Sequence, residues 1–331
     1  MKKNINFKGK ALFVIKKKNN FKIKIQEHVI NELLQDEVLI KSKFTCLNYK
    51  DILLINGGHG LVRKFPHVPG IDIAGIVVGS RDKNIKIGEP VFVIAKPLGI
   101  ESYGGYGEYV KIKSEWLVKA KNLKQLKQSM IFGTNGFTAL VVINKILKNK
   151  KYFLKKPILI TGGNSGVGLI LIKILSKLGF SIHVSLRNIK KNIKIKKLGA
   201  EKLIKHKMIV EQNSFPFLKK TYSGVIDCVG GEFVNSGLGL LNDNGVYFSV
   251  GNSAGNKAMI NILPFILRGI NIVGINAENI KKKERLKIIK LMFKFSNYLE
   301  DIIKEFKFRN ILSALKYYKS RKEIKKILIN F

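Results

Sequence analysis

The chain has 331 residues, 46% of them apolar and 25% charged, the balance of a folded protein with room for two domains rather than of a disordered one. Its net charge of +39 comes from 61 basic and 22 acidic residues, yet the lysines are spread along the whole chain, follow no zinc-finger, RNP or basic-zipper spacing, and travel with Ile, Asn and Phe, residues with A- and T-rich codons. Base composition accounts for such a charge, which disfavours nucleic acid as a partner, and the well-separated Cys46 and Cys228 exclude a disulfide framework or a Cys-x-x-Cys metal site. No apolar run is read as reaching the roughly 18 residues of a membrane span, and Ala11–Ile15 is too short for a signal-peptide core; the expectation is a cytoplasmic, unprocessed protein with no membrane partner.

In chain order, residues 1 to about 122 read as short β-rich pieces separated by Gly, Asn and Asp: 11–15, 37–40, 76–78 and 90–94, with a further strand ending at Trp116-Leu-Val118. From about 123 the texture becomes alternating strands and helices, with a helical piece around Gly133–Ala139. Strands follow at 157–161, 181–185, 202–204, 225–229, 245–250 and 270–274, with a helical segment between the second and third of these that runs to Leu198-Gly199, and a helix at 280–298. This alternation predicts an α/β protein with a doubly wound parallel sheet. Residues 324–329 read as a closing strand that returns to the first domain, giving a division into 1–122 with 299–331, and 123–298.

The strongest local signal is Pro157-Ile-Leu-Ile-Thr-Gly-Gly-Asn-Ser-Gly-Val-Gly168, an apolar strand, a glycine-dense turn and the start of an apolar helix. Such glycines let the backbone approach a pyrophosphate, which helix N-terminal amides then stabilise. An NAD site usually carries an acid about 20 residues beyond this turn. Here no Asp or Glu occurs between Gly162 and Ala200; Ser185-Leu-Arg187 follows the second strand, with Lys190 and Lys191 behind, so the cofactor expected is NADP(H). Asp51 and Asp72 are read as carboxylates accepting backbone hydrogen bonds in tight turns, Cys46 and Cys228 as small buried residues, and the five histidines (28, 59, 67, 183, 206) as incidental.

Taken together, Leu47-Asn-Tyr-Lys-Asp51, Phe65 to Val77, Glu115-Trp-Leu-Val118, Gly133-Thr-Asn-Gly-Phe-Thr-Ala139, Ile226-Asp-Cys-Val-Gly230 and Leu263-Pro-Phe-Ile-Leu-Arg268 resemble, in order and almost end to end, the medium-chain dehydrogenase/reductase superfamily. The likeness is to its zinc-free, quinone-oxidoreductase-like branch, which includes NADPH-dependent acrylyl-CoA reductase. The resemblance implies a GroES-like β domain plus a Rossmann domain, an active site in the cleft and pairing as a homodimer. It also implies an acyl-CoA, enone or quinone substrate. By the same carry-over Tyr49 is the aromatic beside the nicotinamide and the candidate proton donor. Asn164, Ser165, Gly166 and Val167 meet the pyrophosphate, Ser185 and Arg187 the 2′-phosphate, Asn252 the nicotinamide loop, and Arg321 a C-terminal basic position near the cofactor. Where zinc-dependent relatives place Cys, His and Glu ligands this chain has Asn48, Ile71 and Asp72, and isoleucine cannot ligate a metal, so a zinc-independent reaction is expected. The turn departs from the family's pattern at Gly163-Asn-Ser-Gly166, and Leu186 stands where relatives have glycine. The reading from a different class is a basic nucleic-acid-binding or redox-sensing protein that retains the fold, with salt-dependent retention and little turnover.

Overall fold

The computed structural model describes residues 3–18, 20–212, 217–320 and 325–331. Its contacts divide the chain into two compact units, Met1–Phe137 with Met292–Ser296 and Glu300–Phe331, and Thr138–Leu291 with Asn297–Leu299.

The first unit is mostly β. Strands β1 (Lys3–Lys17) and β2 (Asn20–Leu33) pair antiparallel in a long hairpin that contains the expected 11–15 strand. The main sheet uses β3 (Glu37–Cys46), β4 (Ile73–Ser80), β5 (Pro90–Val93), β6 (Tyr109–Lys113) and β7 (Val118–Lys119). Inward residues Val38, Ile40, Ile73, Val77, Val91 and Val93 alternate along these strands and form one buried cluster with Trp116. A helix, Tyr49–Ile55, interrupts the β pattern at the motif read as a turn; its apolar Ile52, Leu54 and Ile55 are buried. That helix was not expected, because seven residues carry too little 3.6-residue periodicity to announce themselves.

The second unit holds β8 (Ile158–Thr161), β9 (Ile182–Leu186), β10 (Lys202–Lys205), β11 (Tyr222–Asp227), β12 (Leu241–Ser249) and β13 (Asn271–Gly274). They form a six-stranded sheet in the order β10-β9-β8-β11-β12-β13, every neighbouring pair parallel. The order reverses direction between β8 and β11, the topology of a doubly wound Rossmann sheet. β8 and β11 are buried along their whole length, as central strands of a sheet covered on both faces are. Arg268, at the end of helix Leu263–Arg268, is buried and donates to the carbonyls of Gly239 (2.8 Å), Leu241 (2.9 Å) and Leu218 (2.9 Å), fastening the entry to β12 and the segment before β11.

The chain then returns to the first unit with β14 (Ile303–Lys307) and β15 (Lys326–Asn330). β15 pairs parallel with β14 and antiparallel with β3, so the closing strand is present, observed from Lys326 onward; Ile324 lies outside the described residues. Two expectations are corrected. The segment expected to be helical before Leu198 is a 3-10 stretch, Lys190–Leu198, with Asn192 off the helical conformation. And one helix, Leu123–Lys148, is long and apolar enough by composition to cross a membrane, which the sequence was read as lacking; 67% of its most apolar window is buried within the protein. That helix breaks at Gly133, where φ is +53° and ψ −162°, an arrangement only glycine adopts without strain.

Candidate dinucleotide and active-site elements

In the second unit the loops that could hold a dinucleotide gather at the carboxyl ends of β8, β9, β11 and β12. β8 ends at Thr161, Gly162 turns the chain at φ +60°, and Ser165 caps the helix Gly166–Lys177 by accepting from the Gly168 amide (3.0 Å). A Cβ on Gly168 would lie 2.5 Å from the Gly162 carbonyl oxygen, and one on Gly163 2.3 Å from Val184. Glycine at these positions therefore lets helix and strand approach while Asn164 stays exposed and Ser165 to Val167 partly exposed. A turn of this shape, leading into a twelve-residue helix without an acid in its first turn, fits a pyrophosphate.

Asp227, at the end of β11, holds these loops together. It is 1% exposed and accepts from Thr161 Oγ1 (2.5 Å), Tyr247 OH (2.6 Å) and the amides of Val229 and Gly230 (2.9 Å each), while Thr161 Oγ1 accepts from the Cys228 amide (2.9 Å). Burial and the Asp227 charge push the Tyr247 hydroxyl far above its ordinary range, so it remains a donor. Cys228 is partly rather than fully buried, a correction to the sequence reading; burial raises its thiol strongly and makes it a poor nucleophile. The loop after β12 joins the group: a Cβ on Gly230 would sit 3.1 Å from Asn252 Cα, which brings Asn252 to the same strand ends as the glycine turn.

Ser185, in register with Thr161 on the neighbouring strand, is 1% exposed. Its hydroxyl is engaged with His206 Nδ1 (3.0 Å) rather than presented at the surface, and Arg187 lies exposed just beyond it. His206 thus has a buried hydrogen-bond partner. The sequence offered no sign of this, because the contact spans 21 residues and is made by neighbouring strands of the sheet. Arg321 lies outside the described residues.

In the first unit Tyr49 opens the helix Tyr49–Ile55 and is 50% exposed, so it is a tyrosine available to a ligand and not one packed in the core. Behind it lies a cluster of fully buried polar groups. Asp51 accepts from the amides of Asn48 (2.8 Å) and Ile71 (2.9 Å), as a turn carboxylate should. Asp72 accepts from Asn48 Nδ2 (2.8 Å), Cys46 Sγ (3.2 Å), the Thr134 amide (2.8 Å) and Thr134 Oγ1 (2.5 Å). Burial, then the neighbouring Asp72, pushes the Asp51 carboxyl up to about 6, against the opposing pull of the two amides. Burial raises the Cys46 thiol well above its usual value, with Lys326 Nζ 3.9 Å away partly opposing it. The break at Gly133 frees the Thr134 amide for Asp72, and a Cβ at 133 would lie 2.5 Å from Cys46 Sγ and 2.6 Å from Asp72 Oδ2. Ile71 packs with Leu54 and Val62, apolar where a metal ligand would have to be.

Comparison with known proteins agrees with this architecture. Residues 34–122 match the alcohol dehydrogenase GroES-like domain and residues 166–294 the zinc-binding dehydrogenase domain. The chain is 32% identical over 267 residues to Bacillus subtilis YhfP, whose name places it with the quinone oxidoreductases, covering 81% of each. It is also 32% identical to the acrylyl-CoA reductase AcuI of Ruegeria pomeroyi, covering 76% of this chain and 77% of that one. Among solved structures, Bacillus subtilis yhfP with NAD bound superposes with a TM-score of 0.87 at 29% identity, covering 98% of this chain and 100% of that one. The Salmonella enterica yhdH oxidoreductase in complex with NADP gives a TM-score of 0.87 at 25% identity, covering 97% and 99%. With a GroES-like unit, a parallel Rossmann sheet and relatives alike over most of their length, the chain belongs to the medium-chain dehydrogenase/reductase family of oxidoreductases, in its quinone-oxidoreductase-like and acrylyl-CoA-reductase-like branch.

Proposed function

We propose that this chain is an NADPH-dependent reductase of an activated carbon–carbon double bond, with a short acyl-CoA thioester such as acrylyl-CoA as substrate. The observation that carries the reading is the glycine turn capped by Ser165, with exposed Arg187, Lys190 and Lys191 beyond β9 and no acid between Gly162 and Ala200. NADPH, when bound, supplies the hydride. The amides of Ser165 to Val167 bind its pyrophosphate, and the cations after β9 favour the 2′-phosphate over a ribose diol. The half-exposed Tyr49 hydroxyl delivers the proton that completes the reduced product. The reaction is zinc-independent: Ile71 offers no ligand atom, and Asn48 and Asp72 are hydrogen-bonded to each other. Relatives named acrylyl-CoA reductase support the thioester, and those named quinone oxidoreductase support the alternative of a quinone or enone acceptor.

Oxidation of NADPH by the purified protein, followed with acrylyl-CoA, a simple quinone and no acceptor in parallel and with NADH as control, tests the proposal. NADPH-specific turnover of the thioester is expected; NADPH binding without turnover of either acceptor removes it in favour of a sensor. Tyr49→Phe is expected to lower kcat by about tenfold or more with NADPH affinity kept; loss of cofactor affinity alone removes Tyr49 from the proton-donor role.

The working form is a cytosolic homodimer joined through the second unit. β13 is the outer strand of its sheet, and Met259 (92% exposed), Ile266 (67%) and Leu267 (64%) offer apolar surface in the same part of the sequence. Light scattering of Leu267→Glu against the parent chain tests it: a shift to monomer supports the dimer, and a parent chain that is itself monomeric removes it.

A further inference from the structure

His206 is the first residue of helix His206–Val210, directly after β10, which runs in register with β9 through the pairs Ile204 with Ser185 and Lys205 with Leu186. Two contacts fix its ring. It stacks on Phe233, with centroids 5.3 Å apart and planes 21° from parallel, and its Nδ1 shares the 3.0 Å hydrogen bond with the buried Ser185 hydroxyl. Ser185 is thereby committed, and the other ring nitrogen, Nε2, has no hydrogen-bond partner among the described residues. The ring stays partly exposed at the end of the strand from which Arg187 emerges. The part assigned from the sequence to the Ser185 hydroxyl is therefore one that His206 is placed to play, with a charge that Ser185 could not supply.

We propose that His206 is a specificity-determining residue for the ribose 2′-phosphate of NADPH, giving the anion a hydrogen bond and a titratable positive charge beside Arg187. The inference rests on the NADPH-dependence proposed above. The charged groups around the ring are few. Arg187 emerges from β9, and Asp227 ends β11; Glu232 precedes Phe233 on the helix that carries the stack; and Lys205 and Lys207 flank His206, with Lys207 paired to Glu211 at 3.5 Å. Burial first, and then Arg187, lower the proton affinity of His206 in the free protein, with Asp227 opposing. A phosphate dianion raises it again, because an opposite charge favours the protonated ring. Binding of NADPH then takes up a proton, and its affinity strengthens as pH falls from the bound-state value toward the free-state one. NADH, which lacks the phosphate, gains nothing.

The test is fluorescence titration of NADPH and NADH against the whole chain at pH 6.5, 7.5 and 8.5, for the parent, His206→Gln and His206→Arg. The 2′-phosphate's own titration is common to all three proteins and cancels in the comparison. At pH 6.5, His206→Gln is expected to weaken NADPH by about fivefold with NADH unchanged, the loss shrinking to less than about twofold at pH 8.5. His206→Arg is expected to keep the NADPH preference and to lose the part of the parent's pH dependence that exceeds the phosphate's own. An unchanged NADPH dissociation constant in His206→Gln, an equal loss for both dinucleotides, or a variant pH dependence identical to the parent's each overturns the inference while leaving NADPH-dependence intact. A parent chain that binds neither dinucleotide overturns both. If His206→Gln does not fold, the pH dependence of parent against His206→Arg decides alone.

Discussion

Each unit keeps buried aspartate at the centre of its polar architecture, but in opposite ways. In the second unit Asp227 stands alone among donors, two hydroxyls and two amides, at the point where three strand ends meet. In the first, Asp51 and Asp72 are both fully buried, burial and then the neighbouring Asp72 raise the cost of charging Asp51, and Asn48 bridges the two by donating to both. Asp227 fastens loops through the donors that face it, whereas burial first, and then a second carboxylate, makes Asp51 hold its proton more tightly. In both places the aspartate holds the backbone that carries the exposed groups, Tyr49 in one unit and the glycine turn in the other.

Removing the carboxylate from the second unit breaks this contrast most severely. Asp227→Ala orphans buried donors from Thr161, Tyr247, Val229 and Gly230 and should lower stability by about 5 kcal/mol, read as a fall in the denaturant midpoint. Next comes the frame of the other cluster. Gly133→Ala forces a left-handed residue and presses a Cβ on Cys46 and Asp72, for an expected loss of about 4 kcal/mol. The sharpest separation is in pH dependence. Because the folded chain holds the Asp51 proton more tightly than an unfolded chain does, this group stabilises the fold fully below its ordinary value of 3.8. That contribution is lost as pH rises to about 6, amounting to about 3 kcal/mol. Unfolding free energies measured from pH 4 to 7 should fall with pH in the parent, and the difference between parent and Asp51→Asn should change across that window and then level off; a difference independent of pH removes Asp51 as the titrating group. Smallest is Tyr247→Phe, which removes one of the Asp227 donors and should cost about 1 kcal/mol in the same unfolding measurement.

The elements that depend on local pattern could be read from the sequence. The strand, glycine turn and helix at 157–168 lie where their spacing put them, and the alternation after residue 123 gave a parallel sheet, because these signals are carried by neighbours within one or two turns. Asp51 accepts backbone amides as read, but from the first turn of a helix rather than from a tight turn. What could not be read depends on chain segments that are distant in sequence. Thr134 reaches Asp72 across 62 residues and Lys326 reaches Cys46 across 280, and no window on either residue announces the other. His206 was set aside for want of a dyad-like neighbour in sequence; its partner Ser185 is supplied by strand register. The apolar character of the helix Leu123–Lys148 was underestimated because polar residues such as Thr134, Asn135, Thr138 and Asn144 interrupt every continuous apolar run in it.

The strand β15 has a consequence for the order in which this molecule can be made. It lies between β14 and β3, so the strand Glu37–Cys46 waits, through the synthesis of the whole second unit, for a neighbour translated after it. The Rossmann strands are complete by Gly274 and are free to assemble on the ribosome while the earlier-born β unit still has an open edge. A nascent chain stalled before Lys326 would therefore carry a finished nucleotide fold and an unfinished sheet, exposing the backbone of Phe44, Thr45 and Cys46 to whatever strand comes first.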